Sequence, residues 1–278
     1  MSRGTRYLAA ATIVATTLLS SSCLLESNKP LSASEARQAL EETAAAFQAE
    51  ALVANTVELN TSFTIGGAVE AAAQELHDFV TSQLPCSEVT LDDASLSVVY
   101  GANGSCPYNG HAYQGTHTIT LVSVDASGIV VDHEWDEVDN GIVMVDGSAT
   151  VTWTADDQTR RVQHQLEWTD LARDASFTGG GDRLQGPLDM DWANGIVVDG
   201  NRSWSSERGD WQLTIDGIRA RWDDPVPEAG SYGLDTPFDG KSMTLGFERV
   251  DADTIAVTVE SGNRSFSFNV SKLGIITE

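Results

Sequence analysis

Trp211-Gln-Leu-Thr-Ile-Asp-Gly-Ile-Arg-Ala-Arg-Trp222 alternates apolar and polar residues on either side of Asp216-Gly217. An Asp-Gly pair favours the type I′ turn, whose twist matches that of two antiparallel strands. Two-residue closure there pairs Ile215 with Ile218, Leu213 with Ala220 and Trp211 with Trp222 on one face. Gln212, Thr214, Arg219 and Arg221 are left on the other. The same dipeptide recurs at Asp146-Gly147, Asp199-Gly200 and Asp239-Gly240, and Ser261-Gly262 sits in a similar context. At Asp239-Gly240 closure brings Thr236 to Met243, Leu234 to Leu245 and Tyr232 to Phe247. At Ser261-Gly262 it brings Val257 to Phe266 and Ile255 to Phe268. From about Val89 onward the chain therefore reads as an antiparallel meander with one buried face, mainly β, forming a large sandwich or barrel-like domain.

Two short echoes run through this region. Asn140-Gly-Ile-Val-Met-Val-Asp-Gly147 is similar to Asn194-Gly-Ile-Val-Val-Asp-Gly200, and Gly200-Asn-Arg-Ser-Trp-Ser to Gly262-Asn-Arg-Ser-Phe-Ser. They read as hairpin solutions used twice. The stretch Leu171 to Pro187, with Gly179, Gly180 and Gly181, reads as a long loop or an internal break. Upstream the period changes to that of helices. Ser32 and Glu35 form a capping box, followed by a stripe of Ala36, Leu40, Ala44, Phe47 and Ala51. Val69, Ala72, Leu76, Phe79, Val80 and Leu84 form a second stripe that ends at Pro85. Residues 32–85 are thus a two-helix segment that covers the β domain of residues 86–278.

The N-terminus supplies the clearest statement about location. Arg3 and Arg6 precede an apolar run from Tyr7 to Leu19, which Ser20-Ser21-Ser22-Cys23 follows. The run is too short to span a bilayer. This order of charge, short apolar core, small residues and cysteine resembles a bacterial lipoprotein signal peptide. The resemblance implies that residues 1–22 are removed, that Cys23 becomes the acylated first residue, and that residues 23–31 tether the domain. More than one acyl chain on that residue gives stable anchoring. Leu24 after the cysteine is similar to outer-membrane lipoproteins, so the expected location is the outer membrane, facing periplasm or cell surface.

Cysteine use fits an oxidising compartment. With Cys23 assigned to lipid, Cys86 and Cys106 remain as an expected disulfide, whose loop closure stabilises by roughly 3 kcal/mol. The formal charge of the 278 residues is −25. Removing Arg3 and Arg6 leaves 14 basic against 41 acidic residues, or −27 for the mature chain. That charge opposes nucleic acid and bare anionic lipid as partners. The partners expected are the membrane, through the lipid, and an envelope protein or polysaccharide.

The sharpest local motif is His133-Glu134-Trp135-Asp136-Glu137-Val138-Asp139. It resembles the E-x-D-x-x-E signature of laminarinase-like retaining glycoside hydrolases, with Asp139 where that family has Glu and Trp135 where it has a small aliphatic residue. The resemblance implies Glu134 as nucleophile, Asp136 as its helper and Asp139 as acid/base. In a regular strand residues 134 and 139 point to opposite faces, so a bulge is needed to bring them together. The alternative is a solvated carboxylate row of Asp132, Glu134 and Asp136, behind which Ile129, Val131, His133 and Trp135 face the core. His117, His133 and His164 all fall on apolar strand faces. No metal or cofactor is expected: Leu184 occupies the third glycine position after Gly179, Asp235 the first glycine position before Gly240-Lys241-Ser242, and no G-x-S-x-G elbow occurs. Trp153, Trp168, Trp211 and Trp222 take in-facing positions. Trp192 and Trp204 fit the alternation less well and are the surface candidates for stacking on sugar rings. The chain reads as a lipid-anchored binding or structural protein, with polysaccharide hydrolysis or binding as the alternative.

Overall fold

The computed structural model describes residues 29–61, 69–108, 111–126, 128–154, 158–221, 224–251, 254–271 and 275–277; the segment expected to be a signal peptide, Cys23 and Trp222 lie outside them. Two helices, α1 (Ala33–Thr61) and α2 (Val69–Gln83), precede fifteen strands. These are β1 (Glu88–Asp92), β2 (Ser95–Tyr100), β3 (Cys106–Tyr108), β4 (His111–Asp125), β5 (Gly128–Asp139), β6 (Val143–Thr154), β7 (Thr159–Asp170) and β8 (Ala175–Pro187). After a short helical link come β9 (Ile196–Ser206), β10 (Gly209–Arg221), β11 (Asp224–Asp235), β12 (Ser242–Arg249), β13 (Thr254–Ser261), β14 (Arg264–Ser271) and β15 (Ile276–Thr277). All belong to one antiparallel sheet in chain order, with β3 beside β4. It is a mainly β meander with an N-terminal helical pair, and a single sheet rather than a sandwich of two.

The capping box forms as its residues require. Ser32 N–H donates to Glu35 Oε2 (2.7 Å), and Glu35 N–H to Ser32 Oγ (3.3 Å). Lys241 Nζ holds the other Glu35 oxygen at 2.6 Å. α1 then crosses the inner face of the sheet. Leu31 N–H donates to Ser261 in β13, Glu35 meets Lys241 between β11 and β12, Glu50 meets β7, β8 and β9, and Thr56 accepts from Trp135 Nε1 in β5. From Leu31 to Thr56 the helix rises about 38 Å at 1.5 Å per residue. The strand steps from β5 to β13 cover about the same distance at 4.8 Å each. Each strand is therefore met by a little less than one helical turn.

The sheet also curves around the helix. Buried residues from Ala36 to Val57 spread over about 240° of its circumference, against roughly 100° for a helix on a flat surface. This departs from the narrow stripe expected: Ala51 is exposed, whereas Glu42, Thr43, Glu50 and Thr56 are buried. α2 follows its expected stripe, burying Ala72, Leu76, Val80 and Leu84 near β1, β2 and β4. Cys86 and Cys106 form a disulfide that ties the end of α2 to β3.

Three of the four Asp-Gly pairs do not turn the chain. β10 runs straight through Asp216-Gly217, where its register with β9 shifts by one residue, and Gly217 N–H donates to Asp199 Oδ1 (2.7 Å). Asp199-Gly200 lies inside β9. The arrangement is repeated where β5 bulges at Asp136-Glu137 and Glu137 N–H donates to Asp146 Oδ1 (2.9 Å), with Asp146-Gly147 inside β6. The second bulge residue has φ +48° at Glu137 and +57° at Gly217. Gly147 and Gly200 let the next strand approach: a Cβ there would lie 2.3 Å from Gln165 O and 2.2 Å from Asp182 O. The expected Trp211–Trp222 hairpin is thus replaced by a bulge, and Trp211 pairs with Trp204.

Asp146-Gly147 follows its bulge in the chain, while Asp199-Gly200 precedes its own. A two-fold relation between β7 and β8 maps one onto the other with strand order reversed, which tandem duplication does not produce. The echo of Asn140–Gly147 in Asn194–Gly200 is a bulge cap used twice rather than a hairpin. Real turns form at Pro237–Gly240 and Gly262-Asn263. They pair Leu234 with Met243 and Val257 with Phe268, two residues from the expected register, which preserves the buried face. The stretch expected as a loop, Leu171 to Pro187, is mostly strand: Ala175–Pro187 forms β8, paired with both β7 and β9.

Candidate functional site

One row of inward residues crosses the middle of the sheet: Ile119, His133, Ala149, His164, Gly181 and Arg202 on successive strands from β4 to β9, with His117 at the next inward position of β4, opposite Trp135. His117 and His133 converge, Nε2 to Nδ1, at 3.0 Å, stacked with Trp135; Tyr100 Oη lies 3.3 Å from the other nitrogen of His117. Burial, then the charge of Arg160, hold His133 down to about 3, and burial and His133 hold His117 well below its usual value. Both are neutral at pH 7.

His164 turns instead to α1. Its Nε2 lies 2.8 Å from Glu50 Oε1, whose partner oxygen lies 2.8 Å from Arg183 Nη1; Arg202 Nε is 3.3 Å away. Burial alone raises the Glu50 carboxyl, and the two guanidiniums and His164 outweigh it, leaving it below the ordinary carboxylate range. Burial pulls Arg202 down to about 10, so it stays charged. This cluster seats the helix across three strands. The sequence pattern missed it because Glu50 reads as a solvent-facing helical residue.

The outer face of the same strands carries polar ladders. Thr118, Glu134, Ser148, Gln165, Gly180 and Ser203 form one, and Thr120, Asp132, Thr150, Gln163, Asp182 and Asn201 the next. Thr150 Oγ1 donates to Asp132 Oδ1 (2.7 Å), and Arg161 grips Asp182 with two nitrogens. Two depressions adjoin on this face and share Ser148 and Thr150. His133 and Ala149 are among the residues lining one, and His164 and Gly181 among those lining the other. His133 Nε2 and His164 Nδ1 are buried without a hydrogen-bond partner. Each depression is therefore bordered by a histidine whose inward ring has one buried nitrogen with spare bonding capacity.

The residues singled out for hydrolysis lie beside the first depression. The bulge occurs, and because Trp135 and Val138 are both buried, Glu134 and Asp139 share the outer side. Their cross-strand partners, Ser148 and Met144, place them about 13 Å apart along the strand. A retaining mechanism needs carboxyls about 5 Å apart. Asp139 Oδ1 is also occupied by Gly141 N–H (3.0 Å). Among the described residues no group of three or more His, Cys, Asp or Glu is placed to hold a metal ion.

Among the described residues the tryptophans form no outer platform. Trp204, expected at the surface, is buried and stacks on Trp211, because β9 continues through Asp199-Gly200 and keeps even-numbered residues inward. Trp192 is half-buried against Trp153, and Arg160 lies over both rings. Comparison with protein-family models, curated proteins and solved structures finds no match to this chain.

Proposed function

We propose that this chain is a lipid-anchored envelope protein with a binding role, held at the outer membrane by lipid on Cys23, and that its binding surface is the outer face from β4 to β9. The observation carrying this reading is the pair of adjoining depressions on the polar ladders, lined by Ser148, Thr150 and further hydroxyl and amide side chains and each bordered by a histidine. Hydroxyl, amide and imidazole groups both donate and accept, which suits a ligand dense in hydroxyl groups. The inner face is filled by α1, so the sheet has only its outer face to offer. With a mature charge of −27, repulsion selects a neutral chain over an acidic one. The ligand class this supports is a neutral envelope polysaccharide, held by hydrogen bonds and not by aromatic stacking.

Glycoside hydrolysis remains the second reading, favoured by the bulge at Asp136-Glu137 and opposed by the spacing of Glu134 and Asp139. One panel separates the two. The chain from Leu24 to Glu278 is assayed for binding to cell-wall and storage polysaccharides and for release of reducing ends, beside Thr150→Arg and Glu134→Gln. Binding lost in Thr150→Arg without release of ends supports the proposal. Release that disappears in Glu134→Gln replaces it with hydrolysis, and no binding to any polymer removes it. Labelled fatty acid incorporated by the native chain and not by Cys23→Ser tests the anchor separately.

A further inference from the structure

The inner side of the triglycine strand holds a second polar feature that the outer surface does not use. Under Gly179, opposite Ala46 and Ala49 of α1, lies a small cavity in which the centre of a water-sized sphere can range over about 10 Å3, room for one water or one small ion. The small residues make it: no side chain of α1 or β8 fills the space. A Cβ on Gly179 would meet Ser203 O at 2.4 Å, so the glycine also lets β9 approach.

The polar wall consists of Trp168, Trp204, Arg202, His164 and Glu50. The indole N–H groups of Trp168 and Trp204, 7% and 3% exposed, have no acceptor. Arg202 Nη1 has none either, and Arg202 Nε reaches Glu50 only at 3.3 Å. Buried donors in native proteins are almost always satisfied by protein, water or an ion. Here donors outnumber acceptors. One Glu50 oxygen already faces His164 and the other Arg183, at 2.8 Å each. Two guanidiniums against one carboxylate leave one positive charge buried at the cavity, which is costly until paired.

We propose that this cavity is a halide site, in which one chloride-sized anion accepts hydrogen bonds from Trp168 Nε1, Trp204 Nε1 and Arg202. A water molecule accepts from these donors and can donate to Glu50 Oε2, but it leaves the excess guanidinium charge uncompensated. An anion accepts from them and also neutralises Arg202. The dimensions exclude sulfate and phosphate.

The test is denaturant unfolding of the whole chain in detergent at fixed ionic strength, with gluconate replaced stepwise by chloride or bromide. The folded-to-unfolded ratio should rise tenfold for each tenfold increase in halide above the dissociation constant. Trp168→Phe keeps a ring stacked on Phe177 and removes the N–H, and should abolish or markedly flatten that dependence. Crystals grown in bromide should show an anomalous peak within hydrogen-bonding distance of both indole nitrogens. Equal stability in gluconate and halide, or no bromide peak in the native protein, overturns the proposal in favour of water. A Trp168→Phe variant that loses stability equally in every salt, with its halide dependence intact, overturns it as well.

Discussion

At the residue scale the fold turns on a few backbone positions whose chemistry serves two purposes. Asp-Gly supplies a carboxylate that accepts a neighbouring N–H and a glycine free to adopt positive φ. A type I′ turn uses both, and so does the cap over a bulge. Local sequence therefore cannot separate the two uses; the neighbouring strand does, by bringing Glu137 N–H to Asp146 and Gly217 N–H to Asp199. Gly147→Ala and Gly200→Ala each force a Cβ into a backbone carbonyl at a φ of +132° or +140°. Each should cost about 2–3 kcal/mol or more in urea unfolding. Gly186→Ala, with open space around it, is the control and should stay within about 0.5 kcal/mol. Equal losses at all three positions would show that the close approach is not what selects glycine.

At the scale of elements, α1 is seated by charge as well as by apolar contact. Glu50→Gln leaves Arg183 and Arg202 buried without their counter-ion and should destabilise by about 3–5 kcal/mol. Glu35→Gln, whose partner Lys241 lies near the surface, should cost about 1 kcal/mol at most. If the two losses are equal, Glu50 is not the seat of the helix. The existence of both helices, the capping box, the period-two strands and their inward faces were legible in the sequence, because each is a local pattern. The seat was not. Glu50 is four residues beyond Ala46 and three before Val53, on the same face of α1 as both, but its charge and the stripe read from Ala36, Leu40, Ala44, Phe47 and Ala51 point that face away from the sheet. The histidines were legible in direction but not in partner: His117, His133 and His164 do point inward. Ala149 separates the last two, and Glu50 claims His164 from across the fold.

At the scale of the whole molecule, two buried neutral imidazoles predict an acid-sensitive fold. In the unfolded chain His117 and His133 titrate near 6.5; in the folded protein burial holds both lower. The unfolded state therefore binds more protons as pH falls through 6.5, and stability declines from there downward. Each histidine contributes up to about 1.4 kcal/mol per pH unit. Urea midpoints should be level from pH 8 to 7 and fall between 6.5 and 4.5, above the range where Glu35 and Glu50 lose their contributions. His133→Gln should roughly halve that slope. A midpoint unchanged down to pH 4.5 would contradict the neutral pair.

The crossing of α1 over the sheet also dictates an order of events. A chain is made from its N-terminus, so this helix exists before any strand of the sheet it crosses. Yet Leu31 is bonded to Ser261, and Arg37 donates to the carbonyl of Ile276 in the final strand. Contacts so distant in sequence make for slow folding. The earliest helix must wait for the last strands before its seat is complete, and until then nothing locks the native state. Completion of the native state is thereby deferred until the last strands exist, a property that would suit a chain threaded across a membrane before it folds.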